Sequence, residues 1–103
     1  MLTGTYFVQG TVRVASFNVL NYFATIDSGA EECGPAGADE CRGADSREEL
    51  SRQRAKTATA IRALQADIVG LMELENNERA AIDDLLRALN GAEGDWRAVD
   101  TGV

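Results

Sequence analysis

Two residues in this sequence place oxygen-bearing side chains in apolar, strand-like surroundings. Glu73 lies in Ile68-Val-Gly-Leu-Met-Glu-Leu-Glu-Asn-Asn77, and Asn18 in Val12-Arg-Val-Ala-Ser-Phe-Asn-Val-Leu20. A carboxylate inside an apolar run is costly to bury unless it is paired or bound to a metal. Magnesium and manganese prefer oxygen ligands and commonly take one or two carboxylates plus waters. Glu73 is therefore a candidate ligand, and Asn18 a candidate to orient that ligand or a phosphate. Two neighbouring strands delivering both to one edge would make half of a hard-cation site. In a plainer arrangement Glu73 faces solvent at a strand end and Asn76 only caps a helix. Spacing alone leans slightly towards that arrangement. Glu75 reads as a solvated or helix-start acid.

Positioning Asn18 and Glu73 requires strands that end beside each other. Both segments are short, β-rich runs that turn polar at their carboxyl ends, where ligands sit in open α/β folds. Between them, residues 46 to 65 form the clearest helix. Ser46-Arg-Glu-Glu49 is a capping-box pattern, and Leu50, Arg54, Ala58, Ile61 and Leu64 or Gln65 follow helical spacing. Strand, helix, strand predicts a crossover unit with both strands in one sheet. The first strand becomes apolar in both alternating series, which predicts cover on both faces. Tyr22 and Phe23 after it are expected to anchor the following loop to the core. Residues 77 to 90 predict a second helix, capped by Asn76 or Asn77, with Ile82, Leu85, Leu86 and Leu89 as its stripe and Gly91 as its terminator. Trp96 to Val99 reads as the start of a third strand. Residues 1 to 10 are a linker or a short N-terminal strand around Tyr6-Phe7-Val8. The expected class is α/β, with two main helices and about three strands.

The chain has 103 residues, enough for one domain and one modest core. Seventeen acids against ten bases give a net charge of −7, which opposes purely electrostatic binding to nucleic acid. That balance does not exclude a nuclease, because a divalent cation inverts the local field around carboxylates. The sequence holds no histidine, the commonest general base. Arg52, Arg54, Lys56 and Arg62 put cations past the first turn of the first helix. Such a face could touch phosphates, although solvation is the ordinary role of such residues. No apolar run is long enough to span a bilayer, and the N-terminus lacks the pattern of a signal peptide. A secretion signal would lie outside these residues.

Residues 24 to 45 form a long loop with six acids, Gly29, Gly34, Pro35, Gly37 and Gly43, and both cysteines. Loops of this length are usually functional, disordered or stapled. Two cysteines without histidine are too few for a tetrahedral zinc site. A Cys33–Cys41 disulfide is the favoured reading over free thiols, and it points to an extracellular or periplasmic setting. The loop acids do not match the spacing of an EF-hand.

Five blocks in order carry a resemblance: Val14-Ala-Ser-Phe-Asn-Val-Leu-Asn-Tyr-Phe23, Cys33-Gly-Pro35, Cys41-Arg-Gly-Ala-Asp-Ser46, Arg52-Gln-Arg-Ala-Lys56 and Leu71-Met-Glu-Leu-Glu-Asn-Asn77. Over roughly residues 12 to 102 the chain resembles the endonuclease/exonuclease/phosphatase superfamily, and within it the large secreted bacterial nucleases. The resemblance implies a four-layer α/β/β/α sandwich (DNase I-like), of which residues 11 to 103 would be the N-terminal portion. It implies that Asn18 ends the first strand near the active site and that Glu73 binds the catalytic divalent metal, giving both a catalytic and metal-site role. It further implies metal-assisted phosphodiester hydrolysis with magnesium, manganese or calcium being alternatives. Relatives often carry Gln where this chain has Met72. The superfamily's catalytic histidine, its Gly-Asp-X-Asn segment and its Ser-Asp-His segment do not occur here.

The reading that follows is part of an extracellular, magnesium-dependent nuclease, inactive when isolated. Its partners would be nucleic acid, as substrate of the longer parent, and the remainder of the nuclease domain, with no membrane. An incomplete sandwich exposes apolar sheet surface and predicts self-association. The same fold could instead act on phosphomonoesters or phospholipid headgroups. A different class of protein, a non-catalytic acidic cation-binding or interaction module, would bind calcium in the 24–45 loop rather than at Glu73.

Overall fold

Pairing and capping inside the chain build a three-stranded sheet with helices packed on one side. This computed structural model describes residues 2–6, 11–91 and 94–99, the first of these by backbone alone. In order, the elements are β1 (Leu2–Tyr6), β2 (Val14–Tyr22), α1 (Arg47–Ala63), β3 (Ile68–Leu74) and α2 (Ala80–Asn90). The sheet order is β1-β2-β3. β1 runs antiparallel to β2, and β3 runs parallel to β2 in the register Val14↔Ile68, Ser16↔Gly70 and Asn18↔Met72. The parallel pair joined through α1 is the expected crossover. The chain is thus mixed α/β, with two helices and two parallel strands.

α1 begins where its cap signal stands. Ser46 is extended and its Oγ accepts a bond from the Glu49 amide at 3.1 Å. α2 starts at Ala80, three residues later than the sequence pattern indicates. Asn77 still serves that start, because its Oδ1 accepts from the Ala81 amide at 3.1 Å. Gly91 closes the helix with φ 52°, a left-handed conformation in which a Cβ is strained.

One core lies between the sheet and the two helices. It joins Ala15, Phe17, Val19 and Tyr22 of β2 to Leu50, Ala58 and Ile61 of α1 and Leu85 and Leu89 of α2. Alternation decides Ala15, Phe17 and Val19, since successive strand side chains point to opposite faces, while Tyr22 joins them after the irregularity at Leu20 and Asn21. The other face is open: Val14, Leu20, Ile68 and Met72 are all exposed. The expectation that β2 is covered on both faces is therefore corrected. Its apolar residues were read as a sign of burial, but among the described residues only one face has a helix layer against it.

Of the two alternatives for the N-terminus, a linker or a short strand, residues 2–6 form the strand, while Phe7 and Val8 lie outside the described residues. One further expectation changes. Trp96 to Val99 is not a strand. The side chain of Asn90 takes both backbone groups of Trp96, accepting from its amide at 2.7 Å and donating to its carbonyl at 3.0 Å. Those groups are then unavailable to a β-ladder.

The 24–45 loop is stapled. Cys33 and Cys41 are disulfide-bonded, and Cys33 exchanges two backbone bonds with Asp39, of 2.9 and 2.8 Å. Both cysteines are buried. The Asp27 amide donates to the Ala44 carbonyl at 2.8 Å, tying the loop's two ends together.

Candidate functional site

Asn18 and Glu73 meet at the carboxyl ends of the parallel strands β2 and β3. Asn18 Nδ2 donates to Glu73 Oε2 at 2.5 Å. Asn18 Oδ1 accepts from the Leu20 amide at 2.7 Å, which fixes the orientation of the side-chain amide. Ideal alternation would not bring the pair together. Asn18 stands opposite Met72, so an extended Glu73 would project to the helix-covered face. Glu73 instead has φ 63°, in the left-handed region. This breaks the alternation and brings its carboxylate to Asn18.

Two more left-handed residues, Leu20 and Asn21 (both φ 55°), lie where the β2–β3 register slips between Asn18 and Tyr22. Such a conformation in a residue with a side chain costs on the order of 1 kcal/mol or more, and conformations of this kind gather at functional sites. α1 supports the slip. Gln53 Nε2 donates to the Leu20 carbonyl at 3.1 Å, with the Val19 and Asn21 carbonyls at 3.4 and 3.5 Å. Gln53 lies within the Arg52-Gln-Arg-Ala-Lys56 block but carried no sequence signal for this role.

Glu75, expected to be solvated, is only 5% exposed. Its Oε1 accepts from the Thr25 amide at 3.1 Å, and its own amide donates to the Tyr22 carbonyl at 2.8 Å. It holds the start of the 24–45 loop against the end of β2. Glu73 is the exposed member of the two, so solvent reaches the carboxylate beside Asn18.

Beneath this edge lies a cluster that the sequence did not disclose. The Tyr22 hydroxyl donates to Asp84 Oδ2 at 2.5 Å. Arg54 grips the same carboxylate with Nε and Nη2, each at 3.0 Å. Burial, then the Asp84 bond and charge, push the Tyr22 hydroxyl well above its ordinary range, so it stays protonated. Burial alone would raise the Asp84 carboxyl. The Arg54 and Tyr22 hydrogen bonds, with the charges of Arg54 and Arg87, outweigh it and hold the group below its ordinary 3.8. The Asp84 bond, against a smaller opposing effect of burial, raises Arg54. The cluster joins β2, α1 and α2.

No known family, curated protein or solved structure matches this chain. Its chemistry must be judged on the side chains themselves. Among the described residues no three His, Cys, Asp or Glu side chains converge into a metal-holding group, and this covers the acids of the 24–45 loop. The Asn18–Glu73 pair supplies one carboxylate and one oriented amide. That donor set fits a magnesium-type cation held by a single protein carboxylate, with water and substrate oxygens completing the shell. No described helix is long and apolar enough to cross a membrane.

Proposed function

We propose that this chain is the part of a divalent-metal-dependent phosphodiesterase, an extracellular nuclease, that carries the metal-side carboxylate and its orienting amide. The observation that carries the reading is the Asn18–Glu73 pair at the carboxyl edge of two parallel strands, with Glu73 itself in a left-handed conformation and two more such residues, Leu20 and Asn21, beside it. Strand order and the helix layer on one face are compatible with one half of a four-layer sandwich, whose second sheet would cover the open face. The disulfide is consistent with an extracellular setting.

In this reading Glu73 binds the cation, and Asn18 holds the carboxylate in one orientation. Bound there, magnesium would supply charge stabilisation for a phosphoryl group and its leaving oxygen. The attacking water would need a base from outside these residues, because the sequence holds no histidine. Isolated, the 103-residue chain is expected not to hydrolyse DNA.

Calorimetric titration with magnesium, manganese and calcium tests the assignment. Glu73→Gln should abolish cation binding, Asn18→Ala should weaken it, and Asp39→Asn in the loop should leave it unchanged. Loss in Asp39→Asn alone would replace the proposal with the acidic calcium-binding module. Robust DNA hydrolysis by the pure chain would show that the missing histidine is not needed.

A further inference from the structure

Beside the Asn18–Glu73 edge lies a cleft of about 390 Å³ whose walls come from two distant parts of the chain. Arg42 reaches it from the stapled loop, and Arg52 and Lys56 from successive turns of α1. Its floor includes Leu20 and Asn21, the strained residues that follow Asn18. The cleft therefore begins where the candidate site ends.

Its charge runs against that of the molecule. The chain carries a net −7, yet this cleft gathers three of its ten cations with one acid, Glu49. Glu49 is held only loosely, 3.6 Å from Arg52, with both side chains more than half exposed. Such a pair is worth little and opens easily. Arg42 and Lys56 make no ion pair among the described residues. At physiological salt the screening length is about 8 Å, so a ligand in the cleft feels these three cations more than distant acids.

We infer that this cleft binds the backbone phosphates of a single nucleic-acid strand, next to the phosphodiester presented to Glu73. The inference rests on the phosphodiesterase reading for the identity of the ligand, but its geometry stands apart from the metal. Arg42 and Arg52 offer planar forks for phosphate oxygens, and Lys56 a compact charge. The disulfide matters here as a positioning device, because it anchors the loop that delivers Arg42. Gln53, on the same helix turn as Arg52, fixes the cleft floor through the Leu20 carbonyl.

The test uses the chain itself and a fluorescein-labelled twelve-nucleotide oligodeoxynucleotide, read by anisotropy across a salt series. A methylphosphonate version of the same oligonucleotide removes the backbone charge. Single-strand binding loses about 0.7 in log affinity per tenfold salt for each neutralised phosphate. Three contacts therefore predict a slope near −2, flattened almost to zero in Arg42→Gln/Arg52→Gln/Lys56→Gln. At low salt that variant should bind at least about tenfold more weakly. Arg97→Gln, outside the cleft, should bind as the parent does. Circular dichroism checks that each variant is folded.

Equal binding of the charged and methylphosphonate oligonucleotides, or no effect of the triple substitution, overturns the inference. Binding to phosphatidylserine vesicles without binding to the oligonucleotide also overturns it and marks the cleft as a membrane-surface site. Glu73→Gln separates this from the parent reading. If Glu73→Gln leaves cation binding intact while the cleft variant loses the oligonucleotide, the metal assignment falls and the cleft stands.

Discussion

Removing the guanidinium of Arg54 tests how the two helices and β2 are held together. Arg54→Met keeps most of the aliphatic stem and deletes two charge-assisted bonds of 3.0 Å to Asp84. The Asp84 side chain is only 15% exposed, so its charge would be left largely desolvated. Breaking one partner of a buried pair costs about 3–5 kcal/mol. Two features reduce that here. Tyr22 still donates to Oδ2, and Arg87 lies 3.6 Å from Oδ1, although it is largely exposed and contributes little. The expected loss is about 2–3 kcal/mol, a large share of the stability of a domain this size. In a thermal scan this amounts to a drop of roughly 10–20 °C. Urea denaturation followed by the fluorescence of Trp96, which packs against the core, gives the free energy directly. A cycle with Asp84→Asn should return a coupling of about 1 kcal/mol or more. The pH profile adds a signed check. Asp84 is depressed in the folded state, so its contribution is present above 3.8 and is lost as pH falls through its lower folded value. Asp84→Asn should flatten that acid limb. A cost for Arg54→Met below about 0.5 kcal/mol with no coupling would refute the reasoning and mark the ion pair as an incidental surface contact.

The Cys33–Cys41 bond closes a short ring, with a sequence separation of 8. By loop-closure entropy its reduction should cost about 2.5 kcal/mol, read as a lower urea midpoint in reductant. Two thiols labelled without reduction would contradict the bond. The open sheet face, with Val14, Leu20, Ile68 and Met72 exposed, should cause concentration-dependent association. Light scattering should show a mass that falls towards the monomer in Ile68→Lys/Met72→Lys, and a monodisperse parent monomer at high concentration would count against the open face being sticky.

How much of this was legible depends on the range of each interaction. Ser46-Arg-Glu-Glu49 stated the start of α1, because capping acts over three residues. The apolar runs around Asn18 and Glu73 stated the two strands, and the helix between them stated the parallel crossover. Cys33 and Cys41 favoured their bond over free thiols, because the loop sequence around them shows nothing else to hold it, and the bond is present. The bounds were less secure: β2 runs from Val14 to Tyr22 rather than from Val12 to Leu20. Trp96 to Val99 has strand-like residues, but a strand needs a ladder partner, and Asn90 took its backbone groups instead.

The sequence by itself determined the local devices and nominated Asn18 and Glu73, through residue type and position near strand ends. Tertiary structure alone decided that they touch, since the left-handed turn at Glu73 contradicts the alternation that any reading of a strand assumes. It also decided which of two neighbouring acids is exposed. Glu75 is buried because the Thr25 amide, fifty residues away, needs an acceptor there. Arg54 was expected on a mostly solvated basic face, and it became half of a part-buried pair because α2 brings Asp84 against it. Contacts between residues 30 to 62 positions apart leave no local pattern. They arise only when the sheet and both helices bury one shared core.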